Sequence, residues 1–163
     1  MNAVYTLDGV DKSAAMDAVS YVPSSRNAFS ASLIEEAFRA MLITGGVSSN
    51  VFSNRPKSLS PTVQDFVVAS LQGTLEDMKA YGDCTVNVTL FSKDAAGFKN
   101  SKKLSILQDR VMASVPMWAD VVDGQDKVMS FEVGDTPDII GDAPDDYGFH
   151  ARMILFQVTI KLS

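Results

Sequence analysis

The sequence of 163 residues contains one cysteine, one histidine and one tryptophan. Cys84 has no second cysteine in the chain to pair with, which excludes a disulfide-stapled scaffold and favours a buried structural side chain. His150 is the only imidazole, so a histidine-rich metal site is excluded and any Ser-His-Asp triad would have to include it. The G-x-S-x-G, G-x-x-x-x-G-K-[ST] and G-x-G-x-x-G motifs are also missing. These absences predict a protein that is not an enzyme and needs no cofactor.

Long apolar runs are missing as well. The runs at 66–69 and 153–156 are far shorter than the ~20 residues of a membrane-spanning helix. The first 30 residues show no basic stretch followed by an apolar one, so we expect no signal peptide and no membrane segment. Hydrophobic residues make up 46% of the chain and charged residues 21%, the usual balance of one globular domain.

Negative charge is concentrated in one segment. The chain carries 20 acidic and 14 basic residues, a net charge of −6, which argues against a general nucleic-acid binder. Residues 120–146 contain nine of the acids and one base, so this segment carries −8 and the rest of the chain +2. The acidic segment supplies the candidate site residues Asp120, Asp123, Asp126, Asp135, Asp138, Asp142, Asp145 and Asp146.

Two chemical roles are open for the acidic segment. The oxygens of Asp120, Asp123 and Asp126 could bind a hard cation such as calcium, although their spacing does not match an EF-hand loop. A solvated or interfacial acidic surface is the simpler interpretation. A small basic group offers a complementary partner surface on another copy, made of Lys93, Lys99, Lys102 and Lys103.

Hydrophobic periodicity predicts two helices, at 32–44 and 102–115, and strands at 47–53, 63–71, 84–91, 127–133 and 148–162. Ser32 and Glu35 have the spacing of a capping box, and Trp118 is expected in the core. Residues 73–81 are expected to form a turn or one helical turn, and residues 134–146 a loop. We therefore predict an α+β fold, a mostly antiparallel sheet of about four to five strands flanked by two helices. Residues 1–28 are expected to form an N-terminal arm on a single domain that spans 29–163.

The order of these elements is similar to that of a known family. A short strand ends at Asn54-Arg55-Pro56, the strand of Asp65-Phe66-Val67-Val68 follows, and the strand from Val86 to Phe91 leads into a Ser92-Lys93-Asp94 loop. A leucine-rich helix at 102–115 and a closing strand from Phe149-His150 complete the pattern. Over residues 47–162 the chain resembles the tail terminator, or tail-completion, proteins of long-tailed bacteriophages. The helix at 32–44 fits the N-terminal helix of that family.

This resemblance implies a structural virion protein, made in the host cytoplasm, that forms a homo-oligomeric ring, usually a hexamer, on the completed tail tube. Its partners would be the tail tube protein and the head-proximal connector, and the family has no catalytic residue to transfer. The acidic segment could then line a channel through which DNA passes without binding. Another neck component, such as a head-closure protein, and a small calcium-dependent binding domain are the alternatives.

Overall fold

The computed structural model describes residues 1–17, 31–77 and 81–162. In chain order its elements are β1 (Asn2–Leu7), β2 (Val10–Ala15), α1 (Ala31–Thr44), β3 (Val51–Phe52), β4 (Asp65–Asp77), β5 (Tyr81–Lys93), α2 (Ser101–Met112), β6 (Trp118–Asp123), β7 (Asp126–Val133), β8 (Asp138–Asp145) and β9 (Phe149–Leu162). Among these residues the strands form one sheet of order β2-β1-β6-β7-β9-β5-β4-β3, and β8 pairs with β9 beside this path. Of the strand pairs that the structure describes, only β3 and β4 run parallel.

The predicted α+β class is confirmed, but the prediction of four to five strands is wrong, because nine strands pair in the described residues. The expected arm differs from the structure over residues 2–15, which form the β1–β2 hairpin and join the sheet through β6. Residues 18–28 of that segment lie outside the described residues. The expected loop at 134–146 is also wrong over residues 138–145, where β8 pairs with the first half of β9.

Strand β9 organises the sheet because it has neighbours on both edges. All of β5 lies along one edge. On the other edge β8 pairs with the first half of β9 and β7 with its last residues. Strand alternation puts Ile154, Phe156, Val158 and Ile160 of β9 on the buried face.

Both helices pack on that buried face. Helix α1 contributes its apolar stripe, including the fully buried Phe38, whose ring stacks on Phe131 with centroids 5.7 Å apart. Helix α2 contributes Leu104, Leu107 and Val111. Burial of this kind is worth about 1.5–3 kcal/mol for each large side chain and supplies most of the stability of the domain.

The helix boundaries have identifiable causes. Asn100 caps α2, because its side-chain oxygen accepts a hydrogen bond from the amide of Lys103 at 3.1 Å. The expected capping box at α1 is wrong, because the helix already includes Ala31 and Ser32 therefore lies inside it. Its Glu35 instead accepts a hydrogen bond from the amide of Leu71 in β4 at 2.8 Å. Gly46 ends the α1 segment with a φ of 66°, a conformation that favours glycine.

Two further expectations are corrected. Residues 73–77 continue β4 instead of forming a turn, with a shift in register after Gln72, and residues 78–80 lie outside the described residues. Trp118 is not in the core: it is 41% exposed and lies beneath the ammonium of Lys161, 4.8 Å from the ring centroid. Within the described residues no helix is long and apolar enough to cross a membrane.

Candidate interaction surfaces

A groove of about 690 Å³ lies at the end of the sheet where β4 begins and β5 ends. We call it the end groove. Its apolar floor contains Phe66 and Phe149, and Phe66 stacks on Phe91 with centroids 4.2 Å apart and planes inclined by 5°. Its polar rim is formed by the residues Arg55, Lys57, Lys93, Asp145, Asp146 and Tyr147. A groove of this size with an apolar floor and a charged rim is a candidate binding surface.

Arg55 and Asp145 close one side of the end groove. The guanidinium donates to both carboxylate oxygens, from Nη1 at 2.5 Å and from Nη2 at 2.6 Å. The same guanidinium carbon lies 5.4 Å from the centroid of Phe91. The hydrogen bond with Asp145 raises the pKa of Arg55 above its ordinary value. Because this pair is bidentate and neutral overall, the cations that remain for a ligand are Lys57 and Lys93.

Two aromatic side chains project from tight turns at this end. Tyr147 is 86% exposed in the β8–β9 turn, and its φ of 66° is unusual for a bulky residue. Phe98 is 77% exposed in a turn closed by two backbone hydrogen bonds with Ala95. The amide of Asp94 donates to the carbonyl of Gly148 at 2.8 Å, which ties the two turns together. Exposed aromatics on fixed turns are typical of interface anchors.

The four predicted basic residues lie at this end of the sheet, but they do not form one patch. Lys99 is ion-paired with Asp142 at 3.1 Å, and Lys103 with Asp65 at 2.9 Å. Lys93 donates to the carbonyl of Pro61 at 3.4 Å on the groove rim. Lys102 is exposed at the start of α2 and has no ion pair in the described part of the chain.

Part of the predicted acidic segment is neutralised within the chain. Arg152 and Lys99 hold Asp142, Arg55 holds Asp145, and Lys127 lies 3.1 Å from Asp120. The hydrogen bond from Arg152 holds the pKa of Asp142 below its ordinary value. Burial raises the pKa of Asp120, but hydrogen bonds from Ser130 and Lys127 outweigh burial, and the resulting pKa is lower than usual.

The remaining predicted acids make no ion pair among the residues that the structure describes. All of them are exposed, and they are Asp123, Asp126, Asp135, Asp138 and Asp146. Asp123 and Asp126 flank the β6–β7 turn, where Gly124 has a φ of 63°. We call residues 123–126 the acidic tip. Met129 of β7 pairs with Leu162, so the acidic tip lies beyond the last residue of β9.

The end groove and the acidic tip therefore lie at opposite ends of the sheet. The groove includes Phe149, the first residue of β9, and the acidic tip follows its last residue. At a rise of about 3.3 Å per residue, the length of β9 separates them by roughly 40 Å. The groove rim has three cations and two acids, and the acidic tip has two acids and no base, so the two surfaces carry net charges of opposite sign.

The calcium alternative lacks a geometric basis in the described residues, where no group of three or more His, Cys, Asp or Glu side chains is placed to hold a metal ion. Asp120, one of its three proposed ligands, is instead bonded to Ser130 and Lys127. His150 lies with Nδ1 2.6 Å from the Asp94 carboxylate. Across the strand pair from His150, the buried hydroxyl of Ser92 has no hydrogen-bond partner in the described structure.

The chain has a partial structural likeness to known proteins. No protein-family model matches the sequence, and no curated protein matches it. Among solved structures, the chain is similar to a chain of the "Virion of native gene transfer agent (GTA) particle", with 15% sequence identity and a TM-score of 0.44. The similarity covers 75% of this chain and 85% of that chain.

Several residues of these surfaces are absent from the sequence-based candidates. Arg55 and Lys57 precede β4 in a Ser/Pro-rich loop, and their proximity to Asp145 depends on the pairing of β4 with β5, of β5 with β9 and of β9 with β8. Tyr147 lies next to Gly148, and a Tyr-Gly pair between two strands is a signal for a tight turn that could have indicated it. Arg152 lies on the same face of β9 as the buried Ile154 and Phe156, and the sequence shows it only as an unusual charge on that face.

Proposed function

We propose that this chain is a structural virion protein that assembles into a homo-oligomeric ring at the tail–neck junction of a phage-like particle. The proposal rests on the resemblance of residues 47–162 to tail terminators and on the surfaces described above. In this role the ring would cap the tail tube and present one face to the head-proximal connector. A hexamer is the stoichiometry that the resemblance implies.

The observation that carries the assembly role is the free edge of β8. Among the strands that the structure describes, β8 pairs only with β9, and Ile139 and Ile140 near its start are 49% and 43% exposed. The later part of β8 is less open, since a bulge follows Ile140 and Pro144 lacks an amide. An apolar edge strand is an aggregation hazard in a monomer and a natural contact in an assembly.

We propose a non-catalytic role for the reactive side chains. Cys84 in β5 pairs with Val158, whereas His150 pairs with Ser92, eight residues farther along β5. At about 3.3 Å per residue this separation is roughly 26 Å, so a Cys–His pair cannot form within one chain. Burial also raises the pKa of Cys84 to about 12, which leaves the thiol protonated and unreactive.

The acidic segment has a narrower proposed role than its total charge suggests. Asp120, Asp142 and Asp145 are held by cations of the same chain, and their charge is largely cancelled. The exposed acids near β8, Asp135 and Asp138, are free to face a channel and repel the phosphate backbone of passing DNA. A ring in which both residues lie on the outer rim would contradict this part of the proposal.

The test measures assembly directly. Solution mass and negative-stain imaging are recorded for the protein alone and mixed with tail tubes. We expect rings of about six copies, either free or at tube ends, as the resemblance implies. Ile139→Glu with Ile140→Glu should abolish the rings while leaving the circular dichroism spectrum unchanged. Val10→Glu on β2, which is also exposed on an edge strand, is the matched control. A protein that stays monomeric even on tubes would overturn the proposal.

A further inference from the structure

We infer that the acidic tip of one copy docks into the end groove of the next copy, giving a head-to-tail contact between subunits. The inference rests on the proposed ring and adds to the β8 edge a second contact between neighbouring copies. Asp123 and Asp126 of the acidic tip are exposed and have no ion pair in the described residues. Lys57 and Lys93 on the groove rim likewise have no carboxylate partner there.

The charges of the two surfaces favour the acidic tip of another copy as the occupant of the end groove. Arg55 neutralises Asp145 through two hydrogen bonds, so the rim presents Lys57 and Lys93 against the single unpaired acid Asp146. The acidic tip presents two carboxylates and its nearest base, Lys127, is paired with Asp120. Opposite potentials on two surfaces direct their association and fix its register.

The positions of the end groove and the acidic tip require that any contact between them is made by two copies of the chain. They lie at the two ends of β9, roughly 40 Å apart, and cannot meet within one chain. Different surfaces that bind each other across identical subunits form a heterologous contact, which closes into a ring when the rotation permits. Tyr147 on the groove rim is 86% exposed and supplies aromatic area that such a contact buries.

Disulfide trapping tests the contact. Ser58 on the groove rim and Gln125 in the acidic tip are exposed, and Cys84 is buried, so introduced thiols react selectively. The double variant Ser58→Cys with Gln125→Cys should form a ladder of covalent oligomers under mild oxidation. Each single variant can form dimers at most. The control pairs Ser58→Cys with Thr136→Cys, an exposed residue of the acidic segment outside the acidic tip, and should give no ladder.

Charge reversal in the same trapping variant gives a second measurement. Asp123→Lys with Asp126→Lys, or Lys57→Glu with Lys93→Glu, should lower the yield of the ladder by about tenfold or more, because like charges then face each other. The four changes combined should restore the ladder. Circular dichroism of each variant confirms that the fold is retained.

The outcomes separate this contact from the proposed function. Absence of a ladder from the double variant, or an equal ladder from the control pair, overturns the contact. Rings visible by negative stain in a protein that gives no ladder would leave the proposed function standing and remove this contact. A ladder from a protein that never binds tail tubes would support the contact and count against the tail–neck role.

Discussion

Arg152 in β9 donates hydrogen bonds to both carboxylate oxygens of Asp142 in β8, from Nε at 2.6 Å and from Nη2 at 3.0 Å. The two side chains are only 14% and 6% exposed. Arg152 also donates from Nη1 to Gln108 of α2 at 2.9 Å. One guanidinium therefore fixes the bulge of β8 against both the central strand and the helix.

Arg152→Met should destabilise the fold by about 3 kcal/mol, since it leaves a largely buried carboxylate with Lys99 as its remaining cation. Urea unfolding measures the change. The control is Glu132→Gln, which removes an ion pair of 3.8 Å whose two side chains are more than half exposed. That change should cost less than about 1 kcal/mol. Equal effects of the two substitutions would contradict the structural importance of the Arg152–Asp142 pair.

The protein should lose stability in acid through Asp142. Its pKa lies below the ordinary value of 3.8 because Arg152 donates to the charged form. The folded pKa is thus lower than the unfolded one, so the stabilisation is complete above the unfolded value and disappears as the pH falls through the folded value. Asp142→Asn should flatten the stability profile below about pH 4, as measured by thermal unfolding. A profile as steep as that of the unchanged protein would show that other carboxylates dominate.

Cys84 should not react with thiol reagents in the folded protein. Burial raises its pKa to about 12, and the residue is 5% exposed. Titration with a coloured disulfide reagent at pH 8 should modify the native chain at least about 100-fold more slowly than the urea-unfolded chain. Rapid modification of the native chain would show that the start of β5 opens readily.

Gly45→Ala should be destabilising because of a close approach between the ends of the two helices. An added Cβ would lie 2.5 Å from the Cβ of Ser114 and would overlap its hydroxyl. The hydroxyl is held by the carbonyl of Arg110 at 2.6 Å. We expect a loss of about 2 kcal/mol and partial rescue by Ser114→Gly. The control Gly141→Ala meets no atom within 4 Å and should change stability by no more than about 0.5 kcal/mol.

The sequence predicts correctly the strands that have one buried and one exposed face, because apolar and polar residues then alternate along the strand. In β5, Val86, Val88 and Leu90 are buried and alternate with polar residues, and this pattern is visible without structure. In β1 the buried residues are Ala3 and Tyr5, but the exposed Val4 between them obscures the alternation. The Asp8-Gly9 pair was the better signal, because it is typical of a two-residue hairpin turn.

Strand β8 could not be predicted from its composition. It contains Gly141 and Pro144, which ordinarily interrupt strands, and all eight residues are exposed or partly exposed. A bulge between Ile140 and Ala143 absorbs Gly141, and Pro144 is tolerated on an edge. The end groove could not be predicted from the sequence either, because it combines the 53–63 loop with the β8–β9 turn, two segments about 90 residues apart in the sequence.

The central position of β9 also sets the order in which the chain can fold. The hairpins β4–β5 and β6–β7 join neighbouring segments and can close early. The contacts of β9 with β5 join residues 56 to 80 positions apart. Closing so long a loop costs conformational entropy before the contacts of β9 contribute to the stability of the fold. Until β9 inserts, the facing edges of β5 and β7 are unpaired and vulnerable to intermolecular pairing. Refolding should therefore take milliseconds to seconds and should lose yield steeply as the protein concentration rises.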